Sequence, residues 1–276
     1  MDDSTKTQPG YGEIDQLKRY ANDLAEVYKS EKERRRELEV VNKELQAAYF
    51  DTIYRLSLAA EFRDEDTGDH IMRMGRSCRL IAQKLGLPPE QVKNIEHAAP
   101  MHDVGKIGIP DSILLKPGKL TEEEFEIMKT HTIIGAKLLG NSKSEILRVG
   151  EEISLYHHER WDGKGYPHGL SGEDIPIVGR IVCVMDVFDA PTSRRPYKDP
   201  YPMEVALDII KQESGKQFDP VLVDILLDNS DEITQIKGEV EAMKKSDGIP
   251  LEGFKWSDRD IIEGRNKSFN KRYVKP

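Results

Sequence analysis

The chain has 276 residues, 33% of them charged and 37% hydrophobic, with 50 acidic against 41 basic side chains and a net charge of −9. That length accommodates one well-buried domain of roughly 180 to 200 residues plus an accessory segment. The acidic balance excludes a surface built to coat a nucleic-acid polymer, because such binding neutralises phosphates with Lys and Arg. A small anionic ligand stays open where positive charge is local. Two cysteines, Cys78 and Cys183, exclude a disulfide framework and a CxxC zinc pattern and fit a reducing compartment, the cytoplasm. The chain has no run of about 18 apolar residues and no signal-type segment in its first 13, so no membrane segment is expected.

Residues 1 to 13 read as a polar, disordered tail. From Ile14 the apolar positions Leu17, Ala21, Leu24 and Tyr28 step by three and four, and Leu38, Val41, Leu45, Ala48 and Thr52 continue the rhythm. Between them the charged run Glu31 to Arg36 breaks the seam and shifts its register. Residues 14 to 50 are therefore expected to form a coiled-coil linker helix and, through it, a homodimer; the alternative is a single amphipathic helix packed on its own domain. Such leaders commonly couple an upstream sensor to a catalytic domain, and these 276 residues are read as leaving no room for one.

Residues 51 to 230 read as a catalytic domain of helices separated by Gly and Pro. Helical patterns cover Tyr54 to Arg63 and Ile71 to Leu85, the latter stopping at Gly86. A further helix opens at Pro88 and runs toward His102. Thr121 and Glu124 form a capping box for a helix expected to carry His131. Residues 163 to 176, with Gly163, Gly165, Pro167, Gly169 and Gly172, must be loop. The apolar run Val178 to Phe188 suits a buried helix, and Met203 to Gln212 and Pro220 to Leu227 are amphipathic. Residues 231 to 276 are expected to be a C-terminal helix and charged tail. Neither βαβ alternation nor a GxGxxG appears, so the fold class is all-α.

Five of seven histidines belong to one pattern: Asp66-x-x-x-His70, His102-Asp103 with Lys106, His131, His157-His158, then Asp186. Imidazoles and carboxylates are ligands for divalent iron, manganese or zinc, and these eight residues meet only if a folded core gathers them. On helices, Asp66 and His70 would share one face, as would His102 and Lys106, with Asp103 about 100° round from His102. An adjacent imidazole and carboxylate can take two cations, and bridging carboxylates hold such pairs roughly 3.5 to 4 Å apart. Taken alone, His70 or His131 is more often a hydrogen-bonded core residue. Asp186 differs, because a carboxylate in so apolar a run must be paired or metal-bound. His97 and His168 fall outside the pattern and read as peripheral; Cys183, Met72, Met74 and Met101 read as core. The segment Thr192 to Lys198 supplies three cations and two hydroxyls beside Asp186, a phosphate-binding composition.

These residues spell a resemblance. HHERWDGKGYPHGLSGEDIP (157 to 176), with RDEDTGDH, HDVGKIGIPDSILLKPGKLT, DVFDAPTSRRPYK and FDP, is similar to the motif set of HD-GYP domains across about residues 50 to 228. The resemblance implies an HD-superfamily helical fold, bacterial signalling, and hydrolysis of cyclic di-GMP to linear pGpG and sometimes on to GMP. It implies metal ligands at Asp66, His70, His102, Asp103, His131, His157, His158 and Asp186, holding two or three divalent ions. Three-metal members carry Glu at the position of Asp66. Iron is favoured, since the ligand set lacks thiolate, with manganese satisfying the same argument.

By the same resemblance Lys106 lies at the reacting phosphate and shares the catalytic role with Asp103. Arg195 and Lys198, with Arg194 beside them, contact substrate phosphates, and Tyr166 shapes the pocket. The expected mechanism is metal-assisted: water activated between two cations attacks phosphorus, Lys106, Arg195 and Lys198 offset the growing charge, and the 3′ oxygen leaves. Pro191 and Gly179 stand where Leu and Ala are usual, a change expected in loop stiffness rather than chemistry. Two alternatives are a silent cyclic di-GMP sensor signalling through the coiled coil or a GGDEF-domain partner, and a phosphodiesterase for cyclic GMP-AMP.

Overall fold

A computed structural model of the chain describes residues 11 to 63, 69 to 192 and 201 to 247. Among them the ordered elements are helices, with isolated bridges at Asp162–Ser171 and Ser214–Phe218 and no strand. The all-α expectation holds. No described helix is long and apolar enough to cross a membrane.

The chain divides into two units, residues 1 to 53 and residues 54 to 276. Helix α1 runs from Tyr11 to Glu61, longer at both ends than the linker read from sequence and unbroken at the charged run. In the first unit Leu17, Leu24, Leu38, Val41 and Leu45 are all more than half exposed.

In the second unit, α2 (Asp69–Lys84) is the organising helix. Ile71, Met74, Cys78 and Ile81 recur at three- and four-residue steps and are fully buried, the stripe of a core-facing helix. It packs against α3 (Pro89–Ala98) and α8 (Ile177–Thr192) and receives α11 (Ser230–Asp247). The expected stop follows α2 at Gly86, whose φ is +81°. Helix α8 buries Ile181, Val182, Val184, Met185 and Phe188. Its first half lies close on α7 (Glu145–Tyr156): a Cβ at Gly179 would stand 2.9 Å from the Tyr156 side chain. Gly179 and Pro191 are both inside α8, so these departures act on helix packing and not on a loop.

Between these helices lie α4 (Asp111–Leu114), α5 (Glu122–Lys129) and α6 (His131–Leu139), and after α8 come α9 (Met203–Gln212) and α10 (Pro220–Asp228). The Thr121–Glu124 capping box forms as read, but the helix it starts ends at Lys129, and His131 opens the next one. Hydroxyl-to-carbonyl bonds from Thr130 to Ile127 (2.6 Å) and Thr132 to Lys129 (2.9 Å) mark that junction.

Candidate metal centre

His102 and Asp103 do not lie on an α-helix as the spacing suggested. The chain leaves α3 through a 3-10 turn at Ala99–Met101 and enters a second at Val104–Gly108, and the pair sits at the join. Pro100 lies in the first turn, and Asp103 adopts φ −101°, ψ 10°, outside helical geometry. Gly105 in the second turn presses against the start of α6: a Cβ there would lie 1.9 Å from the His131 carbonyl oxygen and 2.5 Å from the Gly135 nitrogen. That contact brings His131 beside Asp103. Ser154 of α7 donates to the His102 carbonyl (3.0 Å), and His157 caps the C-terminus of the same helix, with His158 next along the chain.

The result is two groups of ligand-type atoms. Those of Asp103, His131, His157 and His158 all lie within 4.8 Å of one another, and those of His70, His102 and Asp186 form a second such group. Asp103 touches both: Oδ1 is 3.3 Å from His131 Nε2 and 3.6 Å from His157 Nε2, while Oδ2 is 3.3 Å from His102 Nε2. Asp186 Oδ1 lies 3.6 Å from His70 Nε2 and 3.8 Å from His102 Nε2. Lys106 Nζ sits 2.8 Å from Asp103 Oδ2.

A divalent cation fits these residues. His102, His131 and His157 each direct Nδ1 to a backbone carbonyl, of Ala99 (3.0 Å), Met128 (2.8 Å) and Ser154 (3.0 Å). This leaves Nε2 of all three, and Oδ1 of Asp103, buried with no hydrogen-bond partner among the described residues. Buried polar atoms left unsatisfied are costly, and these four, spread over the two ligand groups that meet at Asp103, are donors of the kind a divalent cation takes.

The protonation balance agrees. Burial disfavours the Asp103 carboxylate, yet Lys106 and His102 outweigh it and hold the carboxyl well below its usual range. Burial, only partly opposed by Asp103, lowers His131 to about 4, and burial with His157 and His131 drives His158 well below its ordinary value. An ionised carboxylate and neutral imidazoles are the forms that bind metal. His102 and His70 are the exceptions: burial acts against their charge, but Asp103, Asp186 and Glu61 raise His102 to about 10, and Asp189 with Asp186 raises His70 above its ordinary value. A cation arriving there would displace a proton.

The loop following His158 walls this centre. Tyr166 stacks on His158, with ring centroids 4.7 Å apart at 27°, and meets Phe125 of α5 edge-on at 6.1 Å. Lys129 Nζ stands 5.9 Å from the Tyr166 ring centroid. Tyr166, Phe125, Arg160, Lys164, His158 and Asp186 line one cleft. The buried Glu159 carboxylate holds the loop by accepting from the backbone N–H of His168 (2.7 Å), Gly169 (3.1 Å) and Leu170 (3.0 Å).

Of the residues singled out from sequence, His70, His102, Asp103, Lys106, His131, His157, His158, Tyr166 and Asp186 are brought together here. Asp66, Arg194, Arg195 and Lys198 lie outside the described residues. His97 and His168 belong to neither group. Thr192, counted among the phosphate-binding hydroxyls, instead donates to the Phe188 carbonyl (2.9 Å) and accepts from Lys237 of α11.

Sequence reasoning passed over Glu159 and Asp189. The cost of burying a carboxylate, invoked for Asp186, applies more strongly to Asp189: the Asp186 side chain is 26% exposed and that of Asp189 only 6%. A second acid three residues on in the same apolar run was the available signal.

The chain matches the HD domain family model over residues 55–222. A cyclic di-GMP phosphodiesterase of Thermotoga maritima is 52% identical over 187 residues, covering 68% of this chain and 51% of that protein. The cyclic di-GMP phosphodiesterase response regulator RpfG of Xanthomonas campestris pv. campestris is 49% identical over 199 residues, covering 72% of this chain and 53% of that protein. A 3′3′-cGAMP-specific phosphodiesterase of Vibrio cholerae is 44% identical over 188 residues, covering 68% and 36%. The chain thus spans about half the length of the first two relatives. A solved cyclic GMP-AMP-specific phosphodiesterase of Vibrio cholerae has a similar fold, with a TM-score of 0.53 at 19% identity over 80% of this chain and 59% of that one. The family match runs across the helical body that gathers the His102-Asp103 pair with the other imidazoles, and the chain belongs to the HD domain family, with the Gly165-Tyr166-Pro167 loop of HD-GYP members.

Proposed function

We propose that this protein is a metal-dependent phosphodiesterase that opens cyclic di-GMP to linear pGpG and carries it on to GMP in the bacterial cytoplasm. The carrying observation is the pair of ligand groups joined at Asp103, with four buried polar atoms unsatisfied between them. His131, His157, His158 and Asp103 would hold one cation, and His70, His102 and Asp186 a second. Asp66 is assigned to the second or to a third on sequence alone. Iron is favoured and manganese is the alternative, because nitrogen and oxygen donors without thiolate suit both. Divalent ions bound there supply Lewis acidity and lower the pKa of water enough to provide a nucleophile at neutral pH.

The protein's own residues do the rest. The Asp103–Lys106 contact holds a cationic Nζ at the edge of the centre, where it meets a phosphate oxygen and offers a proton toward the departing 3′ oxygen. Tyr166, fixed by His158 beneath it, gives one wall against which the substrate lies in line for attack. Arg194, Arg195 and Lys198 are assigned to the substrate's phosphates from sequence, their cationic charge answering the net acidity of the chain.

Substrate identity is tested by comparing kcat/KM for cyclic di-GMP and 3′3′-cyclic GMP-AMP on one preparation. The expected result is preference for cyclic di-GMP, in line with the names of the two relatives near 50% identity. A preference for the mixed dinucleotide would reassign the enzyme.

The exposed apolar positions of α1 support a parallel homodimer through that helix, as a means of receiving signals and of meeting GGDEF-domain partners. Deleting residues 1 to 45 should yield a monomer by light scattering with metal content intact. A dimer surviving the deletion would move the interface elsewhere.

A further inference from the structure

His70 is held differently from the other imidazoles of the centre. His102, His131 and His157 turn Nδ1 toward neutral backbone carbonyls, whereas His70 Nδ1 lies 2.9 Å from Asp189 Oδ2. A carboxylate only accepts, so Nδ1 carries a hydrogen, and Nε2 is the nitrogen left to meet a cation. That Nε2 faces Asp186 at 3.6 Å. Asp189 is fixed in turn by Arg73, which donates from Nε to Oδ1 (2.7 Å) and from Nη2 to Oδ2 (2.8 Å). His70, Arg73 and Asp189 are all buried, and they join α2 to α8. The two-point Arg73 contact sets the plane of the carboxylate, and the carboxylate sets the plane of the imidazole.

We propose that Asp189, held by Arg73, is the positioning residue that makes His70 an Nε2 ligand. It thereby defines the His70–His102–Asp186 group as a cation subsite separable from the Asp103–His131–His157–His158 group. This rests on the metal-dependent reading above. Outer carboxylates of this kind orient a ligating imidazole and raise its basicity, and their loss typically weakens metal binding about 10- to 100-fold. The first subsite then contains one imidazole, His70, held by a buried charge, whereas His102, His131 and His157 are held by neutral carbonyls.

The test is manganese binding to the 276-residue chain, with stoichiometry by elemental analysis and electron paramagnetic resonance, on wild type, His70→Ala and Asp189→Asn. His70→Ala should hold one manganese fewer than wild type. Asp189→Asn should match it at manganese concentrations that fill the wild type, its weakest site loosened roughly 10- to 100-fold, with an uncoupled six-line spectrum replacing the spin-coupled one.

Asparagine removes the Asp189 charge that faces buried Arg73, so thermal melting of the metal-free proteins is measured alongside. The double variant Asp189→Asn with Arg73→Met removes the cation along with the anion, and it too should hold one manganese fewer. Full stoichiometry and a coupled spectrum in Asp189→Asn, with only the melting temperature lowered, would make Asp189 a purely structural residue and overturn the inference while the metal reading stands. A wild type that takes up neither manganese nor, under anaerobic conditions, ferrous iron, or His70→Ala with an undiminished complement, would overturn that reading and this inference together.

Discussion

Asp103→Ala is expected to lower cyclic di-GMP turnover by about 1,000-fold or more, ~4 kcal/mol of transition-state stabilisation, and to strip metal from both ligand groups. Among the described residues, Asp103 is the side chain that reaches both. Oδ1 stands with His131 and His157, and Oδ2 with His102 and Lys106. Alanine removes the carboxylate that stands among three imidazole nitrogens without hydrogen-bond partners among the described residues, and it releases the Lys106 ammonium from its contact with Asp103. The measurement is steady-state turnover with elemental analysis on one preparation, beside His70→Ala, which reaches only the second group. Loss of a single ion in Asp103→Ala would show that Asp103 serves one group and does not join the two.

Gly105→Ala is the change expected to do most damage to the fold for a single added carbon. Its Cβ would meet backbone, the His131 carbonyl at 1.9 Å and the Gly135 nitrogen at 2.5 Å, so no rotamer change relieves the clash. Either the 3-10 turn carrying His102 and Asp103 or the start of α6 carrying His131 must move. Overpacking of this kind costs about 3 kcal/mol, which for a domain of this size lowers Tm by roughly 6 to 12 °C. The displaced His131 should also leave its group short of a ligand, so metal content falls in the protein that stays folded. Gly238→Ala is the control. A Cβ there has nothing within 4 Å, and alanine is the better helix former by about 1 kcal/mol. Equal melting temperatures for the two variants would show that the turn and α6 have room the structure does not reveal.

What could be read from the sequence follows from where the determining forces are local. Ile71, Met74, Cys78 and Ile81 announce the buried face of α2 by spacing alone, Thr121 with Glu124 announces the start of α5, and Gly86 the end of α2. The ligand-type residues were legible from chemistry, because so many imidazoles and acids have few other reasons to recur in one chain.

Non-local features were hidden. The HD pair sits on 3-10 turns because of Pro100 and of a close approach by Gly105 to a helix some thirty residues on, and neither leaves a periodic trace. His131 opens a new helix rather than riding on α5, since the Gly105 contact and the Thr130 and Thr132 hydroxyls bend the chain there. Asp189 finds Arg73 across 116 residues, a pairing that helical spacing cannot announce. Glu159 was overlooked because its partners are backbone N–H groups, invisible in any sequence.

The most direct test is cyclic di-GMP turnover by the anaerobically purified 276-residue chain, with metal content determined on the same sample. The account predicts linear pGpG, followed by GMP, from protein carrying two or more iron or manganese ions per chain. Tight binding of cyclic di-GMP without turnover at full metal occupancy would contradict it and make the protein a sensor of the dinucleotide.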